Sequence, residues 1–412
     1  MIITDEYKEA KKYLAANKSG FVFLTGKAGV GKTTFLKWVL NELDYNAVTL
    51  APTGIAALNA GGQTIHSFFK FRGEFNPNFQ PQFNIEISHT LSRTDLIIID
   101  EISMVRADLL DMIDKSMRTA LAVDKPFGGK LILAVGDLYQ LPPVLTDVER
   151  DEFKKVYKKS PFFFNSHVFD NCDIKSFVLT RIFRQTDRKF INLLNIIRKG
   201  TITHNMIERM NAKVFNPELS KDFKGLTLCA MNRTADNINK QKLEEIDSEE
   251  NNYMCVIEGK VSAFPVPELI ELKVDAKIVF CKNTPNFRNG ETGIVKKLNN
   301  KSVIVDKGGE MVYVEKETWE QIEYKKSNPV VVGKYKQLPL KLGWAITIHK
   351  SQGMTFSDKI AIDTGNGCFA SGQFYVAMSR ITDFANIQLL KKLRFEDVRT
   401  SENVLKFMQK IE

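Results

Sequence analysis

The sequence predicts an α/β protein with two parallel sheets, a small loop or hairpin insert in the first and a β-rich insert in the second. Three observations carry this. Over residues 1–180, short unbroken apolar runs alternate with helical patterns. Between about 253 and 340 the runs become alternating, with glycine-containing turns between them. After 340 the unbroken style returns.

The first runs are "FVFLT" 21–25, "AVTLA" 47–51, "LIIID" 96–100, "LILAV" 131–135 and "SFVLT" 176–180. Unbroken runs suit strands buried on both faces. "TTFLKWVLNEL", "GIAALNA" and "RADLLDMIDKSMRTAL" read as the crossover helices of a parallel sheet. "FFKFRGEFNPNFQPQFNIE", 68–86, interrupts this grammar with six Phe among Asn, Pro, Gln and Gly, which excludes a regular helix. It reads as part of an insert at about 66–90, either a small aromatic core under a loop or a wedge whose rings stack on bases.

A second α/β unit begins near 181, with a helix at 187–199, a strand "LTLCA" 226–230 and a helix at 232–246. "KIVFCK", "TGIVKKL", "SVIVDK" and "MVYVEK" then read as a small antiparallel barrel. "WAITI" 344–348 and "KIAID" 359–363 resume the parallel sheet, and "QFYVAMSR" 373–380 reads as a buried strand ending in arginine. The expected division is therefore 1–180, then 181–252 with 341–412, and 253–340 inserted.

A chain of 412 residues exceeds one typical core. Its net charge of +9 suits a polyanionic partner without demanding one. Five cysteines with no C-x-x-C pair argue against a disulfide frame or a zinc site and for a reducing compartment. The polar start, with acids among its first residues, is unlike a secretory or transit peptide, and no apolar run approaches membrane-spanning length. An intracellular, cytoplasmic protein is expected, associated with the nucleoid if bacterial.

"GKAGVGKT", 26–33, fits G-x-x-x-x-G-K-[ST] between a strand and a helix. Its glycines let backbone N–H groups turn towards phosphates, and the helix dipole adds positive potential. Lys32 is placed for the β/γ oxygens and the Thr33 hydroxyl for magnesium. In "LIIIDE", Asp100 can hold magnesium and Glu101 can polarise an attacking water; without the glycine loop, such a pair is often only a helix cap. "LILAVGDLYQLPPV", 131–144, ends a third strand near the same edge and sets Gln140 beside the γ-phosphate.

With these stand "APTGIAA" 51–57, "TIHSFF" 64–69, "IIIDEISM" 97–104, "PFGG…GDLYQLPPV" 126–144, "LTRIFRQ" 179–185, "AITIHKSQGMTF" 345–356 and "QFYVAMSR". In order and spacing the set resembles the petite-integration-frequency (PIF) helicases of superfamily 1B across nearly the whole chain. The resemblance implies two RecA-like domains, a Src-homology-like barrel in the second, and an ATP- and Mg2+-dependent 5′→3′ DNA helicase stimulated by single-stranded DNA. Forked duplexes, G-quadruplexes and RNA–DNA hybrids are implied substrates. It further implies ATP contacts at Gly26, Ala28, Gly29, Val30, Gly31, Lys32, Thr33 and Thr34, and at Gln140, Arg184, Gly353 and Arg380. One departure concerns the base: the N-terminal "TDEYKEAKKYL" has no glutamine of the kind that reads adenine in relatives, which leaves selectivity for ATP open.

Alone, Arg184 or Arg380 is the kind of residue that makes a surface salt bridge. Within this motif set both are expected to reach the γ-phosphate from the second unit when a cleft closes, so that a monomer suffices. DNA contacts are expected at Pro52, Thr53, Gly54, His66 and Phe68 in the first unit and at Thr347, His349, Lys350 and Gln352 in the second. The inserted barrel, through Lys282, Asn283 and Arg288, is a further candidate. Competing readings are a RecD-like helicase, a P-loop loader ATPase that does not translocate, and a DNA-binding module with a dead nucleotide site.

Overall fold

The computed structural model describes residues 2–71, 76, 78–157, 160–218, 223–325 and 328–411. Six parallel strands form the first sheet: β1 (Gly20–Gly26), β2 (Ala47–Ala51), β3 (Gln63–Thr64), β4 (Leu96–Ile99), β5 (Leu131–Gly136) and β6 (Ile174–Leu179). Their order is β3-β2-β4-β5-β1-β6. β1 has a neighbour on each side, and its side chains alternate between two apolar layers. Phe21 and Phe23 pack with Phe127, Phe163 and Phe169, while Val22 and Leu24 pack with Tyr7, Leu14 and Phe35. This order brings the loops that follow β4, β5 and β1 to one edge, the carboxyl edge where open α/β sheets bind ligands.

The first strand of the second unit is β7 (Leu226–Cys229). A β-rich insertion follows: β8 (Glu250–Met254), β9 (Val256–Gly259), β10 (Leu269–Lys273), β11 (Lys277–Phe280), β12 (Thr292–Leu298), β13 (Ser302–Lys307), β14 (Glu310–Glu315), β15 (Glu317–Lys325), β16 (Asn328–Gln337) and β17 (Leu340–Leu342). Then β18 (Ala345–Thr347), β19 (Ile360–Asp363) and β20 (Ile387–Leu389) complete a parallel sheet in the order β18-β7-β19-β20. Most of the inserted strands enclose one apolar core that includes Ile278, Phe280, Val295, Val303, Val305 and Tyr335. β15 and β16, with β9, form a separate three-stranded arm.

That arm returns to the first sheet. The Thr49 N–H on β2 donates to Tyr324 Oη at 3.0 Å, and the Tyr324 N–H donates to Gln63 Oε1 at 3.2 Å. The Tyr324 ring packs edge-on against Phe68. This corrects the expectation that Phe68 faces DNA: it is buried between Phe69 and Tyr324, with no ring face left for a base. Phe71 stacks on Phe69 and meets Phe79, so the small aromatic core, not a row of free rings, describes this part of the insert. Phe83 is exposed, and Phe75 lies outside the described residues.

A second correction concerns "QFYVAMSR". Gln373–Ser379 is a helix, not a strand, and every one of its residues is buried. A short helix with no exposed face shows no 3.6-residue periodicity, so its sequence cannot be told from a buried strand. The last helix, Glu402–Met408, crosses back to the first unit, where Phe407 stacks on Phe164 at 4.2 Å and touches Phe23, Phe163 and Phe169. Among the described residues no helix is long and apolar enough to cross a membrane.

Phe407 is only partly buried, so Phe407→Ala should cost somewhat less than a full core truncation, about 2–3 kcal/mol. Urea denaturation followed by far-UV circular dichroism should show the loss as a lower midpoint.

Candidate active site

After β1 the chain turns through residues 27–31 and enters the helix Lys32–Glu42. Gly29 has φ +78°, and a Cβ there would lie 2.6 Å from Arg184 Cβ. Only glycine allows both this conformation and this approach. The Phe183 N–H donates to Gly29 O at 2.8 Å, which fastens the segment 183–185 to the loop. Lys32 Nζ donates to Gly26 O and Lys27 O at 2.8 and 3.0 Å. Burial pulls its pKa down, opposed by the carboxylates of Asp137 and Glu101.

Asp100 and Glu101 follow β4. Glu101 sits in the left-handed region (φ 51°), an uncommon conformation for a side-chain-bearing residue, and its N–H donates to Asp100 Oδ1 at 2.9 Å. Burial pushes both carboxyls up, that of Asp100 to about 7 with the adjacent Glu101 adding to the rise, while Lys32 pulls the other way. Asp137 follows β5 and was not singled out from the sequence. Burial alone would raise its pKa, yet Arg198 and Lys32 hold it below the ordinary value. Its partners are Arg198 Nη2, Tyr375 Oη and the Tyr139 N–H, each at 3.2 Å, and Gln140 Nε2 approaches at 3.4 Å.

The second unit supplies the opposite wall. Arg184 Nη1 donates to Ser379 O at 2.9 Å, and Gln185 Nε2 donates to Ser379 O and Ile381 O. Arg380, 3% exposed, directs Nε to Val376 O and Nη2 to Ser379 Oγ at 3.1 Å and Gln140 Oε1 at 3.5 Å. Burial, then the nearby Arg380, lowers the Arg184 pKa to about 9. Two guanidiniums that crowd one another in a desolvated wall form a site for an anion.

Between the walls lies a cavity of about 730 Å³. Ala28, Gly29, Val30, Gly31, Lys32, Thr33, Thr34, Glu101, Gln140, Arg184, Gly353 and Arg380 line it. Gly26 does not; it lines a neighbouring cavity with Lys27 and Leu179. Asp100 also lies outside the lining, next to Glu101. The sequence reading missed Ile2, Tyr7, Phe183 and Thr355. Tyr7 Oη donates to Gly31 O at 2.6 Å, but in the sequence Tyr7 is only one apolar position of an amphipathic helix.

The candidate DNA residues are less tightly grouped. Thr347 and Lys350 line a second cavity of about 920 Å³, which also meets Ile55, Phe264, Lys240 and Lys341. His349 stacks on the exposed ring of Phe369 at 6.0 Å. Burial lowers the His349 pKa, which favours the neutral ring. The Gln352 amide nitrogen is buried and has no hydrogen-bond partner among the described residues. In the first unit, Thr53 caps the helix Gly54–Ala60 and accepts the Ala56 N–H at 3.3 Å. Pro52 precedes it, half-buried. Gly54 is pressed by Ala263 of the insertion. His66 is exposed beside Phe71.

The chain matches the family model described as PIF1-like helicase over residues 3–208. It is 30% identical to the Campylobacter jejuni ATP-dependent DNA helicase Pif1, with 94% of each chain covered. It is 31% identical to the Homo sapiens ATP-dependent DNA helicase PIF1 over 97% of its own length, but spans only 63% of that protein. Among solved structures, Bacteroides sp Pif1 in complex with ADP-AlF4 superposes with a TM-score of 0.92 at 36% identity, covering 100% of this chain and 97% of the other. Bacteroides Pif1 bound to ssDNA, with the same identity and coverage, superposes with a TM-score of 0.71.

Gly29→Ala should drive the loop and Arg184 apart and weaken binding of a fluorescent nucleotide analogue by about tenfold, a misplacement effect. Equilibrium titration checks this, and an unchanged circular-dichroism spectrum would show the fold intact.

Proposed function

Since the chain belongs to the PIF1-like helicase family and is an ATP-dependent DNA helicase, we propose that it is a monomeric motor that moves 5′→3′ along single-stranded DNA. Its proposed substrates are forked duplexes, RNA–DNA hybrids and G-quadruplexes. The working parts are two RecA-like units, 1–180 and 181–252 with 341–412, and an inserted β domain, 253–340. The observation that carries the reading is the single cavity walled by the glycine loop on one side and by Arg184 and Arg380 on the other.

In this mechanism the backbone N–H groups of residues 29–34 and Lys32 hold the β- and γ-phosphates of ATP, while the Ala28 N–H, beside them in the lining, stays on Tyr375 Oη. Lys32 exchanges the carbonyls of Gly26 and Lys27 for phosphate oxygens, which offsets its burial. Thr33 Oγ1 and an Asp100 carboxylate oxygen are hard donors that suit magnesium, an ion that takes few protein ligands and keeps waters. Two adjacent buried carboxyls with raised pKa values also suit a nearby cation. When bound, magnesium would neutralise charge on the phosphate oxygens.

Glu101 orients the attacking water, and Gln140, joined to Arg380, reports the γ-phosphate. Arg184 and Arg380 neutralise charge on the equatorial oxygens, a contribution of about 10³–10⁵ in rate for a positioned arginine. Loss of the γ-phosphate removes the anion that both walls share, and the units relax. Pro52, Thr53 and Gly54 on one side and Thr347, His349, Lys350 and Gln352 on the other would then step along strand phosphates. The contact of Ala263 with Gly54 implies that the insertion moves aside for DNA at that point.

Lys32→Ala should abolish both DNA-stimulated ATPase and unwinding, and a chelator should do the same to the wild type. Tailed duplexes of each polarity test direction. Strand separation is expected with a 5′ tail alone, and opening from a 3′ tail would overturn the polarity. Arg184→Ala and Arg380→Ala should each lower kcat by about 10³-fold or more, measured by phosphate release at saturating single-stranded DNA.

A further inference from the structure

The helix Gln373–Ser379 belongs to the second unit, yet it is seated against the loops of the first. Its N-cap, Gly372, has φ +73°, and a Cβ there would collide with the carbonyl oxygens of Tyr139 and Gln140. One turn on, Tyr375 is 3% exposed. The Ala28 N–H of the glycine loop donates to Tyr375 Oη at 3.1 Å, and that hydroxyl donates to Asp137 Oδ2 at 3.2 Å. Burial and the neighbouring Asp137 raise the phenol's pKa, so it keeps the proton it donates. Five residues further along, Arg380 reaches Gln140. One hydroxyl therefore ties the glycine loop and the loop after β5 to the element that aims the arginine.

We propose that Tyr375 is a positioning residue for ATP hydrolysis: its hydroxyl fixes the distance between the glycine loop and the helix that carries Arg380, and so sets where that guanidinium meets the γ-phosphate. It touches no reacting atom. Asp137 serves the same linkage as acceptor and is held in place by Arg198 from the helix Arg188–Lys199. This inference rests on the reading of Arg380 given above. A displaced arginine stabilises the transition state less while leaving the bound ground state largely unchanged, so the effect should fall on kcat.

Tyr375→Phe keeps the ring and removes only the hydroxyl. In the full chain with saturating single-stranded DNA, it should lower the kcat for ATP about tenfold and leave KM within about twofold. Combined with Arg380→Ala, it should be no slower than Arg380→Ala alone, because its effect runs through that arginine. A wild-type kcat for Tyr375→Phe, an equal change in KM, or multiplicative effects in the double variant would overturn the proposal. A wild-type kcat for Arg380→Ala would instead overturn the reading beneath it. Should Tyr375→Phe not fold, Asp137→Asn is measured in the same way with the same result expected. Failure of both to fold would assign the hydroxyl to packing alone and overturn the inference.

Discussion

A carboxylate sealed from water needs a cation, and Asp137 draws its cations from both halves of the chain. Lys32 comes from the glycine loop of the first unit and Arg198 from a helix of the second. Desolvating a charge is expensive, and removing one partner of a buried pair costs about 3–5 kcal/mol. The pair thus holds the loop after β5 against the helix Arg188–Lys199. Separating the two would strand both charges, unless water replaces what each loses.

The cavity inherits its shape from that contact. With the helix Gln373–Ser379 held against the loop after β5, Arg380 has little freedom, and Arg184 is clamped between Gly29 and Ser379. Burial, then the neighbouring guanidinium of Arg380, opposes the charge of Arg184, as its lowered pKa registers. A protein that spends stability on like charges in one wall is arranged for an anion that will sit between them. In the proposed motor this tension is relieved by the triphosphate and returns when the γ-phosphate leaves.

The β-rich insertion adds a second link between the units. Its arm adds Tyr324 to the edge of β2 and rests on the aromatic insert, while its Ala263 loop covers the start of the helix Gly54–Ala60. Of the candidate DNA residues of the first unit, Gly54 and Phe68 therefore lie beneath it, whereas Thr347 and Lys350 remain open to a large cavity. The cavity between the glycine loop and the two arginines is assembled as it stands. The candidate DNA residues are covered where the insertion rests on Gly54.

The local facts were legible in the chain itself. Unbroken apolar runs specify strands buried on both faces, and a glycine loop between strand and helix specifies a phosphate site, because both depend on neighbours only a few residues away. The acids after β4 and Gln140 after β5 follow from the same strand-end rule. What the chain order left undetermined depends on contacts between distant segments. The helix Gln373–Ser379 could not be told from a strand, since complete burial erases the periodicity that distinguishes them. Phe68 turned inward because Tyr324, more than 250 positions away, covers it. Asp137 and Tyr375 acquire their meaning only from each other, across 238 positions. A sequence fixes which groups exist and which surfaces are apolar; only the packed chain decides which buried donor finds which acceptor.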